Sequence, residues 1–221
     1  MPHTVRVWDL PTRLFHWSLA LCVTGLLITG QMGGSAMTWH FRLGYLTLSL
    51  LLFRLAWGFV GGHWSRFASF IFSPATLWRY LRGHAALQPA IGHNPLGALS
   101  VFAMLLFLLL QVGTGLVSDD EIATSGPLTR FVPNALVSLA THYHKGVGQP
   151  ILIALVLLHI LAILFYLWRR HENLIRPMLH GDKQTPEAAP GSRDGAQPRL
   201  LAAAIFTVCA LLVTGMLWLA A

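Results

Sequence analysis

At 221 residues, 55% hydrophobic and only 10% charged, the chain is too poor in charge for a wholly water-facing surface, since soluble domains carry about 25% charged residues. A mean hydropathy of +0.60 agrees, and the length fits one helical bundle. The net charge of +7 and the pI of about 10.3 raise nucleic acid as a partner. The arginines exclude it by position, because they flank apolar runs and form no stripe interleaved with aromatics.

The first apolar run covers residues 15–28, and its helix is predicted to start near Pro11 with Asp9 as the cap. A cleaved signal peptide is the rival reading. Against it, the run exceeds the usual apolar region, carries His16 and Trp17, and lacks a small-x-small cleavage site. The second run, 40–60, ends at Gly61-Gly62. Residues 63–95 read as a loop with Arg66, Arg79 and Arg82, in which 77–81 is predicted as a short interfacial helix.

Asn94-Pro95 opens the third run, 96–117. A polar segment follows, with Asp119, Asp120, Glu121, Pro127 and Pro133. The fourth run covers about 146–168. A segment rich in Pro, Gly, Ala and charge, 182–198, leads to the fifth run, 200–220. Each run is about 20 residues, enough to cross a ~30 Å hydrocarbon core as a helix. There is no strand signal and no internal repeat. The fold class is therefore an all-α membrane protein, with a fifth C-terminal transmembrane helix beyond a polar linker at 181–198. Cys22 and Cys209 lie in separate apolar runs and form no CxxC or CxxCH, so they read as buried apolar side chains.

Twelve basic residues fall on one side of these spans. Arg42, Arg130 and Lys145 fall on the other, so the N-terminus is expected in the cytoplasm. The acidic 119–121 segment and the C-terminus are then periplasmic.

Eleven histidines sort by depth. His3, His63, His84, His171 and His180 lie at ends or in loops and read as solvated or headgroup-facing. His16, His40, His144 and His159 lie in or at the ends of spans, where a polar group is expensive and needs a partner. The spans offer almost no carboxylates, which argues against proton or metal transport. His16 and His159 fall near the cytoplasmic end; His40 and His144 fall near the periplasmic end, about 22 Å away along the fourth helix at 1.5 Å per residue. Two levels of paired imidazoles suit two bis-histidine haems, closed to oxygen and built to pass electrons.

The fifteen-residue offset from His144 to His159 turns about 60° around an ideal helix, which strains the pairing. Pro150 between them commonly brings a kink or π-bulge that absorbs a residue. His142 is the alternative outer ligand. Arg13 and Arg42 flank histidines and suit haem propionates, with snorkelling to headgroups as the alternative. Arg54 lies deeper and needs a partner, either the inner propionates or a quinone headgroup.

The motifs VWDLPTRLFHW, WHFRLGY, LLFRLAWGFVGG, YLRG, GHNPLG, LLH and HENLIRPM, in this order, resemble the bacterial di-haem cytochrome b family. That family includes the b-type cytochrome subunit of membrane-bound nickel–iron hydrogenases and the cytochrome b-561 group. The resemblance covers roughly residues 5–180. It implies a four-helix haem-binding transmembrane bundle in the bacterial inner membrane, with a di-haem domain over 1–180 and the additional helix over 199–221. It also implies two haems b per chain, with ligands at His16, His40, His144 and His159, and His93 as a helix-entry and propionate contact. The family spaces its two helix-four ligands fourteen apart; here they are fifteen apart, and the fifth run lies outside the resemblance.

The reading is transmembrane electron transfer between the quinone pool and a periplasmic partner: a c-type cytochrome, a hydrogenase or another redox protein. A quinone-linked superoxide oxidase is the nearest alternative, and whether the chain is itself an enzyme stays open. A haem-free membrane anchor or transporter is the alternative of another class.

Overall fold

The computed structural model describes residues 3–82, 91–120 and 124–221. His84 and Glu121 lie outside them. The elements run β1 (His3–Arg6), α1 (Leu10–Met32), α2 (Met37–Val60), α3 (Pro74–Leu81), α4 (Pro95–Leu116), α5 (Asn134–His142), a π-helical turn (Tyr143–Gly148), α6 (Gln149–Arg169), α7 (Ile175–His180), β2 (Asp182–Thr185) and α8 (Ala196–Leu219). Among the described residues, five segments are long and apolar enough to cross a membrane: α1, 34–60, α4, the continuous α5-to-α6 stretch of 36 residues, and α8. This is the expected all-α membrane fold. The chain divides into two compact units. One comprises 3–15, 54–103 and 158–205; the other comprises 16–53, 104–157 and 206–221.

In the first unit, Asp9 caps α1 as expected. Its Oδ1 accepts from Thr12 N at 2.8 Å, and the carboxylate also accepts from Trp57 Nε1, Gly62 N and Ser65 Oγ. Fully buried, it ties the start of α1 to the end of α2. Asn94 caps α4 by accepting from Gly97 N at 2.7 Å, and Ser73 caps α3, the expected interfacial helix, which begins three residues earlier than predicted.

Two expectations are corrected here. The chain does contain strands: β1 pairs antiparallel with β2, His3 opposite Thr185 and Arg6 opposite Asp182. Four-residue strands separated by some 180 positions leave no local periodicity to detect. The segment expected as a polar linker also packs. Ser192 N donates to Arg6 O, Ser192 Oγ to Val7 O, and Asp194 gathers Arg6, Arg13 and Arg199. Gly181 ends α7 with a φ of +94°, a left-handed conformation that favours glycine, and its carbonyl accepts from Val7 N and Trp8 N.

In the second unit, α5 begins at Asn134, well before the predicted run, so His142 and His144 sit within continuous helix. The polar sequence THYHKG hid this. α8 packs here through Phe206 against Phe53, and Arg130 donates to Leu219 O at its C-terminal end.

Candidate functional site

His40, in the first turns of α2, and His144, in the π-helical turn, face each other in the second unit. Their ring centroids are 6.2 Å apart and their planes stand at 83°. Each imidazole is held by its Nδ1: His40 Nδ1 lies 3.1 Å from Leu26 O, and His144 Nδ1 lies 2.9 Å from Gln111 O. A carbonyl only accepts, so each Nδ1 carries the proton and each Nε2 is left with its lone pair.

The two seats follow one plan. Leu26 and Gln111 are each followed four residues later by a glycine, Gly30 and Gly115. A Cβ on Gly30 would stand 3.2 Å from His40 Cε1, and one on Gly115 would stand 2.8 Å from His144 Cε1. Thr29 and Thr114, just before each glycine, turn their hydroxyls onto the preceding turn and lie 3.3 and 3.5 Å from the same Nδ1 atoms. Gln111 adds a second hold, donating from Nε2 to His144 O at 2.9 Å. The π-helical turn is the expected consequence of Pro150. Such a turn accommodates one extra residue, here just before Pro150. His142 is exposed and lies beside Gly146; His144 is the one that meets His40.

This pair opens on a cavity of about 310 Å³, lined by His40, His144, Tyr45, Gln111, Asp119 and Lys145 among others. A haem fits these residues. Two metal–nitrogen bonds of about 2.0 Å, with each ring centre about 1.1 Å behind its nitrogen, separate imidazole centroids by roughly 6 Å, and the Nδ1 anchors are the usual second contact of a metal-bound histidine.

His16 lies in the second unit, edge-on to Trp17 at 5.0 Å, and His159 lies in the first; both are half-buried. In the first unit, His93 lies between Trp8 at 4.7 Å and Phe70 at 4.4 Å, its ring tilted by 55° and 50° to theirs. Burial, then the charges of Arg54 and His159, push its pKa down to about 3, so the ring is neutral. Arg54 is 3% exposed, with its guanidinium 4.7 Å from the Phe67 ring. Arg13 donates to Leu179 O at 2.6 Å and lies 3.7 Å from Asp194; Arg42 lies over Trp39 and is absent from the cavity lining. The seat residues Leu26, Gly30, Gln111 and Gly115, and the lining Lys145, were not foreseen. The only sequence signal was a Thr-Gly pair in each seat helix.

Membrane-length helices with two imidazoles facing each other are the arrangement expected of a b-type membrane cytochrome. The family model described as prokaryotic cytochrome b561 matches residues 7–181, and the chain belongs to that family. It is therefore a multi-pass membrane protein that binds b-type haem and serves transmembrane electron transfer. Similar proteins described as "Probable Ni/Fe-hydrogenase B-type cytochrome subunit" include those of the following bacteria. That of Bradyrhizobium diazoefficiens is 26% identical over 216 residues, 82% of this chain and 86% of the relative. That of Rhodobacter capsulatus is 27% identical over 217 residues, 81% of each. That of Azotobacter vinelandii is 35% identical over 124 residues, 44% of this chain and 52% of the relative. No solved structure shows a significant match.

Proposed function

We propose that the chain carries electrons across the bacterial inner membrane, between the quinone pool and a redox partner at the periplasmic face, through two b-type haems. His40 with His144 holds the outer haem, and His16 with His159 holds the inner one. The observation that carries this reading is the facing pair His40 and His144, 6.2 Å apart, each with its Nδ1 tied to a backbone carbonyl. A haem held by two imidazoles would supply reversible one-electron transfer there, with His40 and His144 as the residues holding it.

The protein's own part is positional. Leu26 O and Gln111 O fix both tautomers, and Gly30 and Gly115 let the rings lie against their helices. The groups proposed to meet haem carboxylates are Arg13, Arg42, Arg54 and His93. The last two are best supported, because Arg13 already binds Leu179 O and Arg42 already lies on Trp39. The uneven spread of basic residues supports a cytoplasmic N-terminus. A hydrogenase is the partner class that the names of the relatives suggest.

The test is reduction by quinol. In vesicles without oxygen, a short-chain quinol should reduce both haems within seconds, seen as sharpened α-bands. If quinol reduces neither and no quinone reoxidises chemically reduced protein, the quinone link is wrong.

A further inference from the structure

The short helix α3 takes no part in the histidine pairs or the cavity they line. Ser73 caps it, Pro74 opens it, and Trp78 and Leu81 are exposed, as is Ile71 just before it. Arg79 in its last turn and Arg82 at its C-cap are exposed too. The Arg82 guanidinium lies 4.5 Å over the Trp78 ring, one helical turn back. Apolar rings and arginines on one short helix suit the boundary between hydrocarbon and headgroups.

Two tyrosines fix α3 in place. The hydroxyls of Tyr80 and Tyr166 are 3.0 Å apart, and Asn94 Nδ2 donates to the Tyr166 hydroxyl at 2.6 Å. These bonds tie α3 to the start of α4 and the end of α6, all within the first unit. Arg169 and Arg170 follow Tyr166 by three and four residues and share its helix face. The helix stops there: Arg170 N and Glu172 N both donate to Tyr166 O, and His171 between them takes a φ of +52°. The charge of Arg170 reaches the Tyr80 hydroxyl. Two pairs of arginines, one on each helix, thus flank the tyrosine bond.

These charges are unmatched. Among the described residues, Arg6, Arg13, Arg199 and Lys183 form the ion pairs, and Arg79, Arg82, Arg169 and Arg170 form none. Glu172, two residues after Arg170, is taken by Lys183 at 2.6 Å. A cluster turned wholly to water would not carry exposed apolar neighbours. Here Trp78 and Leu81 stand among the arginines of α3, and the exposed Trp168 precedes those of α6. A ligand with an anionic head and apolar chains complements both parts of this surface.

We propose that α3 and the end of α6 form a binding site for an anionic phospholipid. The planar guanidinium groups of Arg79, Arg82 and Arg170 take the phosphate, whose oxygens match their fork of donors, and the acyl chains lie along Trp78 and Leu81. The site goes beyond electron transfer and does not depend on how many haems the chain holds.

The test is native mass spectrometry of the purified holoprotein, titrated with dioleoyl phosphatidylglycerol or dioleoyl phosphatidylcholine. The two lipids share their chains and differ in net charge, and the titration reads the Kd of the first lipid bound. Wild type should bind phosphatidylglycerol at least about tenfold more tightly, and Arg79→Gln and Arg82→Gln should each lose about fivefold for that lipid alone, the size expected of one basic residue near an anionic surface. Arg193→Gln, which removes an exposed charge outside these two helices, should bind as wild type does. Equal affinity of wild type for the two lipids overturns the site. An equal loss in Arg193→Gln also overturns it, since it marks net charge and not a place. Displacement by inorganic phosphate, but not by chloride at the same ionic strength, would show a simple anion site and contradict a lipid. Haem content checks that each variant is folded. Should Arg82→Gln lose haem, Arg170→Gln replaces it: the same fall is expected, and no fall contradicts the site.

Discussion

Gly113 and Gly115 stand two residues apart on α4 and face different surroundings. A Cβ at Gly113 meets nothing within 4 Å, whereas one at Gly115 comes within 2.8 Å of His144 Cε1. Gly115→Ala must therefore push the imidazole or the helix aside. It is expected to cost about 1–3 kcal/mol, as overpacking does, and to lower occupancy of one haem. Gly113→Ala is expected to leave haem content unchanged. Haem-to-protein ratios and thermal melting of the two variants check this, and equal behaviour would contradict the seat. The histidines themselves were legible in the sequence because imidazoles are costly in apolar spans. Their seats were not. The same Thr-Gly pair recurs at Thr214-Gly215 on α8, where Thr214 bonds back to Ala210 O and Gly215 has open space beside it. The motif becomes a seat only when another helix brings a histidine to it, and that is a tertiary fact. Arg54 was legible as a charge needing a partner, but its aromatic cover by Phe67 was not.

At the scale of elements, the stretch from Asn134 to Arg169 shows both the reach and the limit of periodicity. The apolar part after Pro150 was plain. The preceding THYHKGVG has the look of a loop, yet it continues as helix because its polar groups find partners inside. Thr141 bonds to Val137 O, and Gln111 takes the His144 carbonyl. Pro150 and the spacing of the two histidines together foreshadowed the π-helical turn.

The sheet was illegible, and charge pairs reinforce it: Arg6 of β1 pairs with Asp182 of β2 and with Asp194 beyond it. Asp194, with its side chain 7% exposed, accepts from Arg6 at 2.6 Å, Leu10 N at 3.0 Å and Arg199 at 3.1 Å. Burial raises its pKa, but the bonds from Arg199, Leu10 and Arg6 outweigh burial and hold it below the usual carboxylate range. The folded pKa is depressed, so the contribution to stability is fully present above the unfolded value of about 3.9 and is lost as pH falls through the lower folded value. Asp194→Asn is expected to cost about 1.5–3 kcal/mol near neutral pH, the range for hydrogen bonds to a charged group. Its melting temperature should converge on that of the wild type below pH 4. A constant difference across that range would contradict the assignment.

For the whole molecule, five transmembrane segments and the cytochrome class followed from hydropathy and histidine depth, because both are consequences of moving polar groups out of water. What tied the N-terminal strand to residues 182–185 and 192–194 needed the folded chain. The central claim is that two pairs of imidazoles, one from His40 and His144 and one from His16 and His159, each hold a haem. The most direct measurement is the pyridine haemochrome ratio, with EPR of the same samples, for wild type, His142→Ala, His144→Ala and His159→Ala. Two low-spin haems per chain are expected in wild type and in His142→Ala. One is expected in His144→Ala and one in His159→Ala, with different EPR signals remaining in the two. Two low-spin haems retained in either His144→Ala or His159→Ala would contradict the ligand set.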